Sequence, residues 1–106
     1  MSIKTVVYPY ALEDEIKNNK NLFAMFSASW CGPCKIIKPA FIQYSEDSKY
    51  NCIQFLYIDI DDADEICQEY KIRSVPTFIM FVDGVVYERI EGIDQTKIQK
   101  ILDDQL

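Results

Sequence analysis

The sequence predicts an α/β fold with one central mixed β-sheet flanked on both faces by helices. Strand-like and helix-like segments alternate in the order β-α-β-α-β-α-β-β-α, which is typical of parallel strands joined by crossover helices. Residues 22–26 form a continuous apolar run, as expected for a strand covered on both faces. Between residues 77–82 and 85–90, the pair Asp83-Gly84 predicts a hairpin, which adds an antiparallel pair of strands.

The chain begins with a predicted strand and a predicted helix. Residues 5–8 form the first short strand-like run. Leu12 and Ile16, spaced i,i+4, predict a short helix that ends at Asn18-Asn19. The apolar run at residues 22–26 is then expected to form the central strand.

A second helix is expected directly after this strand. Its apolar face is predicted to consist of Ile36, Ile37, Ala40, Phe41 and Tyr44. Pro33 suits the first helical turn, where a missing N–H costs no intrahelical hydrogen bond. Pro39 lies further inside, and we expect it to kink the helix because it removes one hydrogen bond.

The second half of the chain supplies the remaining elements. Residues 53–60, rich in Ile, Phe and Tyr, predict a buried strand. Asp61 or Asp62 is expected to cap a third helix, whose apolar positions are Ala63, Ile66, Cys67 and Tyr70. Asp94 is expected to cap the last helix, whose inward-facing residues are Ile98, Ile101 and Leu102.

The composition restricts the class of protein. With 106 residues, the chain suits a single domain over residues 1–106. Its net charge of −6 argues against nucleic-acid binding, which needs clustered Lys and Arg. No apolar run approaches ~18 residues and no signal peptide is visible, so we expect no membrane segment and a cytoplasmic location. The chain has no His, which excludes Ser–His, Cys–His and His-ligated metal chemistry.

Two of the four cysteines carry the strongest functional signal. They lie between the central strand and the second helix, in the segment Trp30-Cys31-Gly32-Pro33-Cys34-Lys35. Ligand chemistry in α/β folds gathers at the carboxyl ends of parallel strands. In a reducing compartment, a Cys-x-x-Cys pair is more typical of catalysis or metal binding than of a structural disulfide.

The position of this dithiol predicts how it reacts. A thiol attacks a disulfide as its thiolate, and Cys31 is expected near the unpaired N–H groups and positive dipole end of the second helix, which favour that form. Lys35 adds a nearby positive charge, and Gly32 and Pro33 shape the bend. We expect an exposed Cys31 to attack a substrate disulfide. The less exposed Cys34 then attacks the mixed disulfide and releases the reduced substrate.

Half of a zinc site is the alternative interpretation of such a pair. Structural zinc takes four Cys or His ligands, whereas this chain has no His. Cys52 and Cys67 are far apart in sequence and on different predicted elements. We therefore expect no metal and interpret both as small buried hydrophobic residues. Cys67 lies on the helix that flanks the site, where an exposed thiol would suit a regulatory disulfide.

Two separated segments of the chain resemble the thioredoxin family. Residues 28–35, Ala-Ser-Trp-Cys-Gly-Pro-Cys-Lys, are similar to the active-site segment of that family. Residues 72–78, Ile-Arg-Ser-Val-Pro-Thr-Phe, resemble its second signature, which contains a cis-proline. Asp83-Gly84 and Gly92 also lie where the family places glycines. The likeness extends over about residues 5–102 and includes the order of elements.

The resemblance implies a thioredoxin fold and a protein-disulfide reductase without bound cofactor. It implies that the Val75-Pro76 bond is cis and faces the dithiol, and that the backbone of Val75 pairs with the substrate. Trp30, Val75, Pro76 and Gly92 would line a shallow groove for disulfide-containing proteins. We expect a monomer and an electron carrier, with electrons from NADPH through a separate thioredoxin reductase. A ferredoxin-linked enzyme and a glutathione system stay open as sources.

Two positions depart from the family pattern. The strand before the dithiol has Met25 where thioredoxins usually have a buried Asp, which is taken to help remove the proton from the second cysteine. Tyr57 stands where many members have Lys. Losing both ionisable groups together avoids a costly unpaired buried charge. We expect attack by Cys31 to survive, and resolution by Cys34 to slow or to depend more on water.

Two alternatives to a reductase stay open on the sequence alone. A disulfide isomerase or oxidase would use the same dithiol, but Gly32-Pro33 between the cysteines and the lack of a secretory signal favour a reductant. A binding or scaffold module with little redox turnover would share the fold. The departure at Met25 keeps that module open, whereas the intact dithiol argues against it.

Overall fold

The computed structural model describes residues 3–106 and confirms the predicted alternation of strands and helices. The strands are β1 (Lys4–Thr5), β2 (Asn21–Ser27), β3 (Gln54–Asp59), β4 (Thr77–Val82) and β5 (Val85–Glu91). The helices are α1 (Pro9–Asn18), α2 (Gly32–Glu46), α3 (Asp64–Glu69) and α4 (Gln95–Asp103), with a 3₁₀ turn at Ser48–Tyr50.

Strand β2 lies in the middle of the sheet, whose strand order is β1-β3-β2-β4-β5. It pairs in parallel with β3 and antiparallel with β4, and β1 pairs in parallel with β3. Every residue of β2 is buried, which confirms the prediction from its apolar run. Because both edges of β2 are hydrogen-bonded, its carboxyl end is firmly held where the dithiol segment begins.

Two apolar layers join the sheet to its helices. Alternate residues of a strand face opposite sides of the sheet, so β2 contributes to both layers. One layer packs against α2 and α4 through residues that include Phe41 and Ile98. The other packs against α1 and α3 through Leu12 and Ile66. The predicted mixed sheet with helices on both faces is therefore confirmed.

Helix α2 turns a narrower apolar face towards the sheet than its sequence indicated. Cys34, Ile37 and Phe41 are buried, whereas Ile36 is 70% exposed, so the assignment of Ile36 to the inner face was wrong. Successive helical residues point about 100° apart, and Ile36 therefore cannot share the direction of Ile37. Pro39 lies inside the helix, and the kink expected there stays a prediction.

The first strand and the cap of the third helix differ from the sequence expectation. The first strand covers only Lys4–Thr5, because Tyr8 is already the N-cap of α1 and Pro9 its first residue. Helix α3 begins after Ala63, which makes no side-chain capping bond. The prediction that Asp61 or Asp62 caps α3 was therefore wrong.

The hairpin and the last helix agree with the sequence. Strands β4 and β5 pair antiparallel across Asp83 and Gly84, whose φ angles of 52° and 85° suit the turn that Asp-Gly favours. The Oδ1 atom of Asp94 accepts a hydrogen bond from the N–H of Lys97 at 3.1 Å, which confirms the predicted cap of α4. Within residues 3–106, no helix has both the length and the apolar character needed to cross a membrane.

Candidate active site

The dithiol lies at the junction between β2 and α2. Cys31 is the N-cap of α2, and its Sγ atom accepts a hydrogen bond from the N–H of Cys34 at 3.2 Å. The junction therefore places Cys31 at the unpaired amides of the helix N-terminus, as the sequence predicted. Both thiols are free.

Both cysteines are buried, which partly corrects the sequence expectation. Cys34 is 2% exposed and Cys31 only 5%. The predicted order of exposure holds, but Cys31 is not the exposed thiol that its position at a helix start indicated. The loop before β4 lies against Cys31, since the carbonyl oxygen of Val75 is 3.5 Å from its sulfur.

The loop before β4 brings a backbone acceptor to Cys31. The Val75-Pro76 peptide bond is cis, as the resemblance implied, and the Cys31 thiol donates to the carbonyl oxygen of Val75 at 3.5 Å. The N–H of Gly92, at φ 105°, donates to the carbonyl oxygen of Pro76 at 3.0 Å. The second signature of the sequence thus meets the first at the nucleophile.

A cavity of about 550 Å³ opens beside Cys31. Its lining residues are Trp30, Cys31, Gly32, Pro33, Ile60, Cys67, Ile72, Arg73, Ser74 and Val75. Trp30 and Val75, which were predicted to bind the substrate, both line this cavity, and their role in substrate binding stays a prediction. Pro76 and Gly92 were also predicted there but do not line this cavity. The residues around α3 and the following loop complete the wall that the sequence left unassigned.

Trp30 stands at the rim of this cavity. It is 64% exposed, and its Nε1–H donates to the Oδ2 atom of Asp61 at 3.0 Å. Asp61 therefore holds the indole instead of capping α3. The sequence marked Asp61 only as a candidate helix cap, and nothing in one sequence indicates that a tryptophan 31 positions earlier is its partner.

A second cavity, of about 250 Å³, lies on the side of Cys34. Its lining residues are Ser27, Ala28, Ser29, Cys34, Lys35, Lys38 and Tyr57. Lys35, which was predicted to support the site, is exposed on this side. The ammonium of Lys38 lies 4.6 Å from the centroid of the Tyr57 ring, a cation–π distance.

The surroundings of Cys34 raise the pKa of its thiol. Burial is the largest cause, and the hydrogen bond with Cys31 adds to it. The side chain of Ser27 and the backbone of Ala28 act in the opposite direction, because their hydrogen bonds favour the thiolate. Met25, two residues before Ser27, is fully buried among apolar side chains.

The other two cysteines differ from their predicted environments. Cys52 is exposed, so its interpretation as a buried hydrophobic residue was wrong. It lies in the turn before β3 instead of in the strand. Cys67 is half-buried and lines the larger cavity, and burial raises the pKa of its thiol. Within residues 3–106, no three or more Cys, Asp or Glu side chains form a group that could hold a metal ion.

The thioredoxin family model matches residues 4–104 of the chain. The chain belongs to the thioredoxin family. Among curated relatives, the thioredoxin of Mycoplasmoides gallisepticum is 38% identical over 94% of this chain and 99% of its own length. Thioredoxin-2 of Pyricularia oryzae is 29% identical over 96% of this chain, which spans 58% of that protein.

Solved structures agree with this assignment. The structure of Plasmodium falciparum thioredoxin superposes with a TM-score of 0.91 at 26% identity, covering 98% of this chain and 100% of that one. Family membership and the Cys31–Cys34 pair at the start of α2 define the activity. The chain is a thiol–disulfide oxidoreductase that reduces protein disulfides by dithiol–disulfide exchange through this pair.

Proposed function

We propose that Cys31 is the attacking thiol of this exchange and that Cys34 is the resolving thiol. The observation that carries the assignment is the separation of the two sulfurs between two cavities. Cys31 lines the larger cavity beside Val75, which has room for a substrate segment. Cys34 lines only the smaller one and is 2% exposed.

The reaction has two steps with one sulfur acting in each. The Cys31 thiolate attacks a substrate disulfide, forms a mixed disulfide and expels one substrate thiolate. Cys34 then attacks Cys31, which forms the Cys31–Cys34 disulfide and releases the second substrate thiolate. The N–H of Cys34, which already points at the Cys31 sulfur, stabilises negative charge on that sulfur before the first step.

Backbone and ring surfaces around Cys31 receive the substrate. In the free protein the Cys31 thiol donates a hydrogen bond to the carbonyl oxygen of Val75. We propose that an extended substrate segment pairs with the Val75 backbone, as in strand addition, and packs on Trp30. Pro76 and Gly92 hold the loop behind Val75 through their backbone hydrogen bond. Gly32, Pro33 and Lys35 support the same end of α2, the first two as part of the cavity wall.

Each turnover leaves the chain oxidised, so an external reductant must restore the dithiol. We propose that electrons come from NADPH through a separate thioredoxin reductase, with no cofactor bound to this chain. We also propose that the chain is a monomeric electron carrier in the cytoplasm. A reducing compartment suits four thiols that are all free.

A trapping experiment tests the roles of the two sulfurs. The Cys34→Ser variant lacks the resolving thiol, and we expect it to accumulate a mixed disulfide with insulin. Non-reducing peptide mapping by mass spectrometry should place the bond at Cys31. The matched Cys31→Ser variant retains Cys34 and should form little adduct there, because Cys34 does not line the larger cavity. An adduct through Cys34 in amounts equal to that through Cys31 would refute the assignment.

A further inference from the structure

A side chain of β5 holds the segment that joins α3 to β4 and carries Val75. We propose that Arg89 is a positioning residue for substrate binding: its guanidinium fixes this segment, so that the backbone of Val75 is in place before a substrate arrives. The inference rests on the proposed pairing of the substrate with Val75. It deepens that proposal by naming the residue that prepares the pairing surface.

The guanidinium of Arg89 joins β5 to the end of α3. Its Nη1 atom donates to the carbonyl oxygen of Tyr70, and its Nη2 atom donates to that of Lys71 at 2.8 Å. Tyr70 is the C-cap of α3, and carbonyl groups at a helix end have no acceptor role left within the helix. Because a guanidinium presents its donors in a rigid plane, bonds to two successive carbonyls fix both the position and the direction of this turn.

The turn that Arg89 holds has a demanding backbone. Lys71 has a φ of 53°, in the left-handed region that residues with a Cβ atom rarely adopt. The N–H of Lys71 donates to the carbonyl oxygen of Gln68 at 3.2 Å, and the N–H of Ile72 donates to that of Cys67 at 2.9 Å. A residue stays in this region only where its surroundings enforce it, and Arg89 adds an attachment from outside the turn.

The segment after this turn forms one wall of the larger cavity. Its lining residues are Ile72, Arg73, Ser74 and Val75. At its far end, the carbonyl oxygen of Val75 lies 3.5 Å from the Cys31 sulfur. Only a short stretch of chain separates Lys71 from Val75, so a change in the direction of the turn would displace the backbone beside the nucleophile.

A second link to the same segment runs through Glu91, which is also on β5. Its Oε2 atom lies 3.3 Å from Nε of Arg73 and 3.5 Å from Nη2 of Arg89, and its Oε1 atom accepts from Nη2 of Arg73 at 3.3 Å. The side chain of Arg73 is 80% exposed, so this ion pair alone would add little. Shared between two guanidinium groups, however, Glu91 ties the middle of the segment to the strand that holds its start.

An ordered segment favours substrates that bind along their backbone. When a loop is fixed before binding, the substrate does not have to order it, and affinity rises. Without Arg89, an extended peptide would have to order the segment as it pairs with Val75. A small disulfide that makes no backbone pairs bears no such cost. The role of Arg89 should therefore appear as a difference between these two kinds of substrate.

Paired reduction rates measure this difference. The reduced full-length chain is mixed either with a disulfide-linked extended peptide or with dithiodipyridine, a neutral small disulfide without a peptide backbone. In Arg89→Ala, the rate constant for the peptide should fall roughly three- to tenfold. The rate constant for dithiodipyridine should not fall below that of the wild type, because the Cys31 thiol itself is unchanged. Equal slowing with both disulfides, or an unchanged rate with the peptide, would overturn the inference.

Two further variants separate the guanidinium geometry from charge and from general stability. Asn19→Ala also removes a side-chain donor to a carbonyl near a helix end, because Nδ2 of Asn19 donates to the carbonyl oxygen of Glu15 in α1 at 2.8 Å. It should leave both rates unchanged, and a loss of peptide selectivity equal to that of Arg89→Ala would count against a local role. Arg89→Lys keeps the charge without the planar donors and should stay slower than the wild type with the peptide. Full recovery of the peptide rate in Arg89→Lys would contradict the two-carbonyl geometry.

A modified peptide tests the proposed function separately. Methylation of the backbone nitrogen atoms beside its cysteine removes the N–H groups that would pair with the carbonyl oxygen of Val75. This peptide should react more slowly than the unmodified one with the wild-type chain. Equal rates would overturn the proposed pairing, whatever Arg89→Ala shows. Failure of the wild-type chain to form any adduct through Cys31 would instead overturn the proposed roles of the two cysteines.

Discussion

At the scale of single residues, the two sulfurs of the dithiol have unlike environments although three positions separate them. The Cys31 sulfur receives the N–H of Cys34 and faces the larger cavity. Cys34 has a pKa raised mainly by burial. Because a raised pKa keeps a thiol protonated at neutral pH, the second step should accelerate as pH rises towards that pKa. Met25 is where this difference can be tested by adding a carboxylate.

We predict that Met25→Asp destabilises the fold at pH 7. Met25 is fully buried in an apolar cluster, so burial should raise the pKa of a carboxyl group placed there. The carboxyl group lowers the free energy of unfolding least when pH is below its pKa in the unfolded chain. The loss grows as pH rises above that value and is complete once pH exceeds its pKa in the folded chain. The free energy of unfolding should fall by about 3 kcal/mol at pH 7 and by less at pH 4, as measured by urea denaturation.

Met25→Leu is the matched control for this prediction. It conserves apolar volume and should cost less than about 1.5 kcal/mol, with no dependence on pH. If Met25→Asp were as stable as Met25→Leu at pH 7, the apolar description of this position would be contradicted. If Met25→Asp also leaves the pH profile of turnover unchanged, the missing carboxylate does not limit the second step.

The sequence predicted the reactive residues better than their exposure. Two short motifs made it possible to predict Cys31, Cys34 and the cis bond before Pro76. The exposure of Cys52 could not be predicted, since a single cysteine in a turn has the same sequence signal as one in a strand. The contact of Asp61 with the Trp30 indole could not be predicted either, because only the folded sheet brings the carboxyl ends of β2 and β3 side by side.

At the scale of elements, the positive-φ turn of the hairpin and the start of α2 place opposite demands on their glycines. Gly84 has a φ of 85°, a conformation that residues with a Cβ atom adopt only under strain. Gly32, the first residue of α2, has no positive φ, and a Cβ atom added there would meet nothing within 4 Å. The same substitution should therefore have opposite effects at the two positions.

We predict that Gly84→Ala lowers the free energy of unfolding by about 1 kcal/mol. Gly32→Ala should raise it by roughly 0.5 kcal/mol, because alanine loses less backbone entropy on folding at a position with compatible φ. Urea denaturation of both variants and of the wild type measures the two changes in the free energy of unfolding. Shifts of the same sign would contradict the backbone argument, whatever their size.

Element boundaries were predictable where a local signal fixes them. Asp83-Gly84 and Asp94 act through their own turn and cap, and both predictions hold. The end of β1 depends on a partner strand, and its pairing with β3 joins Lys4 to Leu56 and Thr5 to Tyr57. Pro9 at the start of α1 is the local signal that would have shortened the strand.

At the scale of the whole molecule, the dithiol is part of the hydrophobic core. Cys31 and Cys34 belong to the same apolar layer as Phe23 of β2 and residues of α2 and α4. The alternation of strands and helices predicts that such an apolar layer exists between the sheet and its helices. The sequence could not predict which of two adjacent apolar residues faces this layer, because hydrophobic periodicity does not fix the rotation of a helix. Ile36 is the example.

The central claim is that this fold reduces protein disulfides through one dithiol at the end of its middle strand. Insulin reduction with dithiothreitol as electron source tests it most directly, read as turbidity from the precipitating B chain. The wild type should precipitate insulin well before dithiothreitol alone, and Cys31→Ser should match dithiothreitol alone. A wild type no faster than dithiothreitol, or a Cys31→Ser variant as fast as the wild type, would contradict the account.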